Sequence, residues 1–150
     1  MVAKKHKGGV YMVQIIAGET GKGKTKELLR MVNDEVRTIG GRIVYLDKTN
    51  KHMYELSNKI RLVNVKDYMT QSSEEFLGFL SGIISQDNDI EKIYIDSFLK
   101  VACVGIPQLQ DILEKIEERS KAFKVDFVLS ISLEKEQLPL DYQKSVVLSL

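Results

Sequence analysis

Residues 17–26 read "AGETGKGKTK", with Gly and Lys alternating over four positions shortly after the apolar run "VYMVQII". The stretch is either a phosphate-binding loop or a flexible basic turn, and that choice decides the fold. Gly18, Gly23, Lys24 and Thr25 fit G-x-x-x-x-G-K-[ST] without a departure. Average residue frequencies put a chance match in a chain of this size at odds on the order of one in 200. A strand pattern before the match and an amphipathic helix pattern after it supply the context that the motif requires.

The chemistry explains the residue types. Gly18, Gly21 and Gly23 let the backbone fold tightly enough for successive N–H groups to face phosphate oxygens, and the following helix adds its dipole. Lys24 then bridges the β- and γ-phosphates and the Thr25 hydroxyl meets Mg²⁺. The predicted cradle is Gly18, Glu19, Thr20, Gly21, Lys22, Gly23, Lys24, Thr25 and Lys26. Lys22 is a charge that the motif does not demand, facing solvent or the γ-phosphate.

Short runs rich in Val, Ile and Tyr alternate with helical periodicity along the rest of the chain, the pattern of parallel β/α units. Strands are expected at 10–17, 42–46, 61–65, 92–96, 125–132 and 145–150. The helix after the loop runs to about residue 39 with Leu28, Val32, Val36 and Ile39 as its stripe, and Gly40-Gly41 supplies a left-handed stop. Ser72 and Glu75 form a capping box opening a helix to about residue 85, with Phe76, Leu80 and Ile83 buried. Pro107 suits a first helical turn before the stripe Leu109, Ile112, Leu113 and Ile116. No room for another helix is visible before 145–150, so that strand is expected to pair antiparallel at an edge.

The magnesium partner is an acid at the end of a buried strand. Asp96, after "KIYI", meets that description; Asp87 and Asp89 lie at the wrong end of the same strand. Guanine recognition is disfavoured, because "TNKH" leads to Met53 where N-K-x-D needs Asp, and Asp96 leads to "SFL", not to D-x-x-G. ATP is therefore expected over GTP.

With 150 residues, 43% hydrophobic and 29% charged, the chain fits one soluble domain over 10–150 behind a flexible basic tail, 1–9, with Lys4, Lys5, His6 and Lys7. The 22 basic and 21 acidic side chains nearly cancel, which gives no general attraction to nucleic acid or anionic lipid. No apolar run reaches the roughly 18 residues of a membrane span. A single cysteine, Cys103, excludes an internal disulfide and a multi-cysteine zinc site. A cytoplasmic protein is expected.

On the loop, the "YLD" strand end and "IYIDS", the chain resembles the RecA/KaiC-like branch of P-loop ATPases from about residue 11 to 132. The resemblance implies a three-layer α/β/α fold, mostly parallel, with strand order 61–65, 42–46, 92–96, 125–132, 10–17, 145–150. It also implies ATP and Mg²⁺ as cofactors, with self-association or a protein partner. A polar residue ending the 125–132 strand senses the γ-phosphate in such proteins; Ser130 and Ser132 are the candidates, against simple strand-end polarity.

The departure from the family lies in the water-activating glutamate. Its place after the second strand holds Thr49, and Ser97 follows Asp96. A Thr hydroxyl holds its proton too tightly to act as a base at neutral pH. Asp47 is close enough in sequence to substitute, or else caps the next turn. The expected function is a slow or partner-activated ATPase. The alternatives are a nucleotide-gated binding module and a small-molecule kinase, the latter disfavoured because Arg30, Arg37, Arg42, Arg61 and Arg119 make no lid-like insertion. A DNA-dependent motor lacks an aromatic-interleaved basic patch. Lys135, between Glu134 and Glu136, is a finger residue or part of a mixed-charge loop.

Overall fold

A computed structural model describes residues 10–150, and the tail 1–9 with its four basic residues lies outside them. The strands are β1 Val13–Ala17, β2 Arg42–Asp47, β3 Ile60–Asn64, β4 Ile90–Ile95, β5 Asp126–Ile131 and β6 Val146–Ser149. The helices are α1 Lys24–Glu35, α2 Ser73–Ser85, α3 Phe98–Val101, α4 Leu109–Phe123 and α5 Leu140–Gln143. One six-stranded sheet runs β3-β2-β4-β5-β1-β6, which is the RecA-like order, and every pairing is parallel.

Both faces of the sheet are covered, so the strands read as continuous apolar runs. Ile15, Val44, Ile93, Ile95, Phe127 and Leu129 pack with Phe76 and Leu80 of α2 and with Ile112, Leu113 and Ile116 of α4. Their strand neighbours Ile16, Ile43, Tyr45, Tyr94 and Val128 pack with Leu28, Leu29 and Val32 of α1. The period of two along each strand thus sorts residues into two layers, one on each side. The helix stripes read from the sequence are the ones that close these layers.

Three details depart from expectation. The edge strand β6 is parallel to β1, with Ile15 opposite Val146 and Ala17 opposite Ser149. A parallel return needs about a dozen residues, and the stretch between β5 and β6 provides them. A 3₁₀ turn at Lys135–Gln137 and the one-turn α5 fill it, and burial of Leu138 and Tyr142 in the main core holds this short crossover down.

Second, α1 ends at Glu35, and Gly40-Gly41 is not its left-handed stop: among the described residues the positive-φ glycines are Gly18, Gly21 and Gly23. Glycine at 41 answers a close approach instead. A Cβ there would lie 2.5 Å from the Asp89 carbonyl oxygen and 2.5 Å from Glu91 Cγ. Third, the Ser72 box is half reciprocal. Ser72 Oγ accepts from the Glu75 N–H at 3.1 Å, but the Glu75 carboxylate takes the N–H of Gln71 at 3.3 Å.

Candidate nucleotide and cation site

The carboxyl ends of β1, β2, β4 and β5 meet at one edge of the sheet, and the expected loop spans β1 to α1 there. Its three glycines hold φ of 153° (Gly18), 89° (Gly21) and 96° (Gly23), a region that side-chain-bearing residues rarely enter. Gly18 also lies against the chain end: a Cβ on it would stand 2.9 Å from the Leu150 carbonyl oxygen. Glu19, Thr20, Gly21, Lys22, Gly23 and Lys26 are exposed around the loop.

Lys24 opens α1 yet is only 7% exposed, and its Nζ donates to the Glu19 carbonyl at 2.9 Å across the loop. Burial pulls the pKa of this ammonium below its usual value, against the opposing pull of Asp96. A lysine held this way keeps donor capacity for anionic oxygens.

Asp96, directly after β4, accepts from four protein donors. Thr25 Oγ1 donates to Oδ2 at 2.9 Å, and the Tyr45 hydroxyl reaches the same oxygen at 3.2 Å. Ser130 Oγ donates to Oδ1 at 2.6 Å, and the Ser97 N–H joins it at 2.9 Å. The same N–H also reaches Ser130 Oγ at 2.8 Å, and Ser97 itself takes up a left-handed conformation, φ 51°. Such a conformation costs a non-glycine residue about 1–3 kcal/mol.

The two serines expected near the γ-phosphate therefore differ. Ser130 is buried with its hydroxyl proton committed to Asp96; Ser132 lies exposed beyond the end of β5. Thr49 accepts the Lys51 N–H at 3.2 Å and serves its own turn. Lys135 is exposed in the 3₁₀ turn after β5.

Asp47 ends β2 beside Asp96. Leu46 pairs with Ile95, and the Asp96 N–H donates to the Leu46 carbonyl at 2.9 Å. Only 2% exposed, Asp47 accepts the Lys48 N–H on Oδ1 at 2.7 Å, while Oδ2 is buried with no partner. Burial first and the Asp96 charge second raise its pKa, and the Lys48 N–H, His52 and Lys48 pull the other way. A folded-state pKa above the unfolded 3.8 means that the ionised Asp47 works against folding at neutral pH. Asp47→Asn is therefore expected to raise the melting temperature of the ligand-free protein at pH 7. The gain should shrink as pH falls through the raised pKa to the unfolded 3.8; a gain independent of pH would contradict this origin.

Two residues here escape a reading by motif. Tyr45 reads as core apolar, yet it shares a strand face with Asp47 and lies where its hydroxyl meets Asp96 from the neighbouring strand. Asn33 on α1 pins the segment after β2: its Nδ2 donates to the Glu55 carbonyl at 2.8 Å, and its Oδ1 accepts the Ser57 N–H at 2.9 Å. A cleft lined by Asn33, Val36, Arg37, Tyr54, Leu56 and Lys59 shares no residue with the loop.

Thr25, Asp96 and Asp47 are hard oxygen donors of the kind Mg²⁺ prefers, and the bare Asp47 oxygen fits such an ion. Among the described residues no cluster of His, Cys, Asp and Glu is large enough to hold a metal alone, so phosphate oxygens would complete its shell. None of the described helices is long and apolar enough to cross a membrane.

No family model and no curated protein matches the sequence. Among solved structures, the flagellar accessory protein FlaH from Methanocaldococcus jannaschii matches with a TM-score of 0.53. The match covers 90% of this chain and 67% of FlaH at 15% identity, a likeness of fold.

Proposed function

We propose that residues 10–150 form a single nucleotide-binding domain that holds Mg-ATP on the loop at 18–25 and hydrolyses it slowly or only with a partner. The observation that carries this reading is the 2.9 Å hydrogen bond from Thr25 to Asp96, which joins two motif residues 71 positions apart. Lys24 lies buried beside the same carboxylate. A loop, a lysine, a hydroxyl and an acid in this relation supply the phosphate cradle and the cation partners of a nucleoside triphosphate site. When bound, Mg²⁺ would neutralise phosphate charge; Thr25 and Asp96 would hold it.

Weak turnover follows from what stands at the ends of β2 and β4. Thr49 and Ser97 occupy the positions where a glutamate would activate water, and neither hydroxyl is a base at neutral pH. Phosphoryl transfer to a second substrate is less well supported. Arg30 pairs with Glu27 and Asp34, Arg42 with Asp87, and Arg119 with Ser81. None of these three reaches over the loop.

A chain that binds ATP without hurrying its hydrolysis suits a cytoplasmic protein whose nucleotide state is read by a partner or by a second copy. The accessory title of FlaH agrees with such a role. Calorimetric titration with ATP and with GTP, each with Mg²⁺, tests the site: ATP should bind and GTP more weakly. Phosphate release then separates the slow ATPase from the pure binding module. Thr49→Glu is expected to raise release by tenfold or more, within the usual range for a positioned base. No change would mean that position 49 does not face the terminal phosphate.

A further inference from the structure

We infer that Asp47 is a second carboxylate of the cation site, accepting from the hydration shell of a divalent ion that Asp96 alone cannot satisfy. The inference deepens the Mg-ATP reading and rests on it for the identity of the site. Its basis is the different state of two adjacent carboxylates. Asp96 has both oxygens taken by protein donors: Thr25 and Tyr45 on one, Ser130 and Ser97 on the other. A carboxylate offers about four acceptor positions, so little capacity is left on Asp96 for a water that donates to it. Asp47, on the neighbouring strand end, has one oxygen on the Lys48 N–H and the other bare.

A buried acceptor with no partner is rare, and an ion or its water is a recognised reason for one. The face is also right. Residues 45 and 47 on β2, and 94 and 96 on β4, share the α1 side of the sheet, because side chains alternate along a strand and Tyr45 pairs with Tyr94. Tyr45 reaches Asp96 on that side, and Thr25 at the start of α1 does the same. Asp47 is therefore on the α1 side of the sheet, the side from which Thr25 and Tyr45 meet Asp96.

Charge supplies the second half of the argument. Two carboxylates, 2% and 3% exposed, stand side by side with little water to screen them. A water nucleophile would do nothing for that repulsion, whereas a divalent cation relieves it. No ammonium bonds the bare oxygen: Lys24 Nζ is bonded to the Glu19 carbonyl, and Lys48 faces Lys100.

The test compares wild type with Asp47→Asn, which keeps the side-chain shape. Mn²⁺ binding is read by electron paramagnetic resonance, once with inorganic triphosphate and once with ATP present. Mg²⁺ is also titrated into protein and ATP to find the concentration at which nucleotide binding reaches half its maximum. Loss of an outer-shell partner typically costs 10–100-fold in metal affinity. Asp47→Asn is thus expected to weaken Mn²⁺ in both arms and to raise the Mg²⁺ midpoint about tenfold, with cooperative thermal unfolding retained.

Equal Mn²⁺ affinity in the two proteins would overturn the assignment. Slower phosphate release at unchanged Mn²⁺ affinity would also overturn it, making Asp47 a proton acceptor. Failure of wild type to bind ATP at any Mg²⁺ concentration would sink the nucleotide reading instead, and the nucleotide-free Mn²⁺ arm would still decide Asp47.

Discussion

Lys24→Ala is expected to cost about a hundredfold or more in ATP affinity while leaving the nucleotide-free fold at least nearly as stable as wild type. The loss follows from removing the buried ammonium that would meet the phosphates. Each charge-assisted hydrogen bond to a phosphate oxygen is worth about 1.5–3 kcal/mol, and two of them amount to a hundredfold or more. The stability half rests on the state of Lys24 without ligand. It is 7% exposed, with one protein acceptor at 2.9 Å for a group that carries three donors.

Burial lowers its pKa from 10.5, so the folded state disfavours the charged form. At neutral pH that charge works against folding, and the penalty disappears only above the unfolded value. Alanine removes the penalty but also the packed stem; Lys24→Met keeps the stem and should melt above wild type. Calorimetric ATP titration and thermal unfolding read the two halves. Unchanged ATP affinity would refute the site, and a marked destabilisation of Lys24→Met would make the lysine a structural group.

Much of this arrangement was legible because it is local or periodic. The loop glycines are spaced for a backbone that must enter positive φ, and all three do. Asp96 was legible because an apolar run ending in an acid marks a strand's carboxyl end. What escaped reading depends on contacts between distant segments. Alternation places Ser130 on the α1 face with Val128, but only the pairing of Ile95 with Leu129 brings it to Asp96. Tyr45 looks apolar until β4 lies beside it. The direction of β6 is not a property of its own residues: it depends on whether the preceding stretch can bury a turn. Leu138 and Tyr142, four apart, were the available signal for that turn.

Gly41 shows the opposite error, a correct residue given a wrong reason. A glycine pair after a helix is a common stop, yet this one makes room for Asp89 and Glu91 of the adjoining turn and strand. Local rules rank conformations by frequency, and packing from another segment decides which one applies.

The same dependence on surroundings predicts opposite responses from two neighbouring acids. Asp96→Ala strands the hydroxyls of Thr25, Tyr45 and Ser130 and the Ser97 N–H. A buried donor left without its acceptor costs about 1–3 kcal/mol. Ser97 and Ser130 still have each other, so the expected loss is about 3–5 kcal/mol. Asp96→Asn should lose less, since hydroxyls can rotate to accept from an amide while the Ser97 N–H keeps an oxygen.

Both Asp96 variants should lose the dependence of ATP binding on Mg²⁺. Asp47→Asn should move stability the other way, because its carboxylate has one donor and a bare oxygen where Asp96 has four donors. Urea unfolding of the three variants at pH 7 without nucleotide reads the signs directly. A loss for Asp47→Asn as large as that for Asp96→Ala would mean that Asp47 is held by bonds of its own, and the contrast between a satisfied acid and a waiting one would fail.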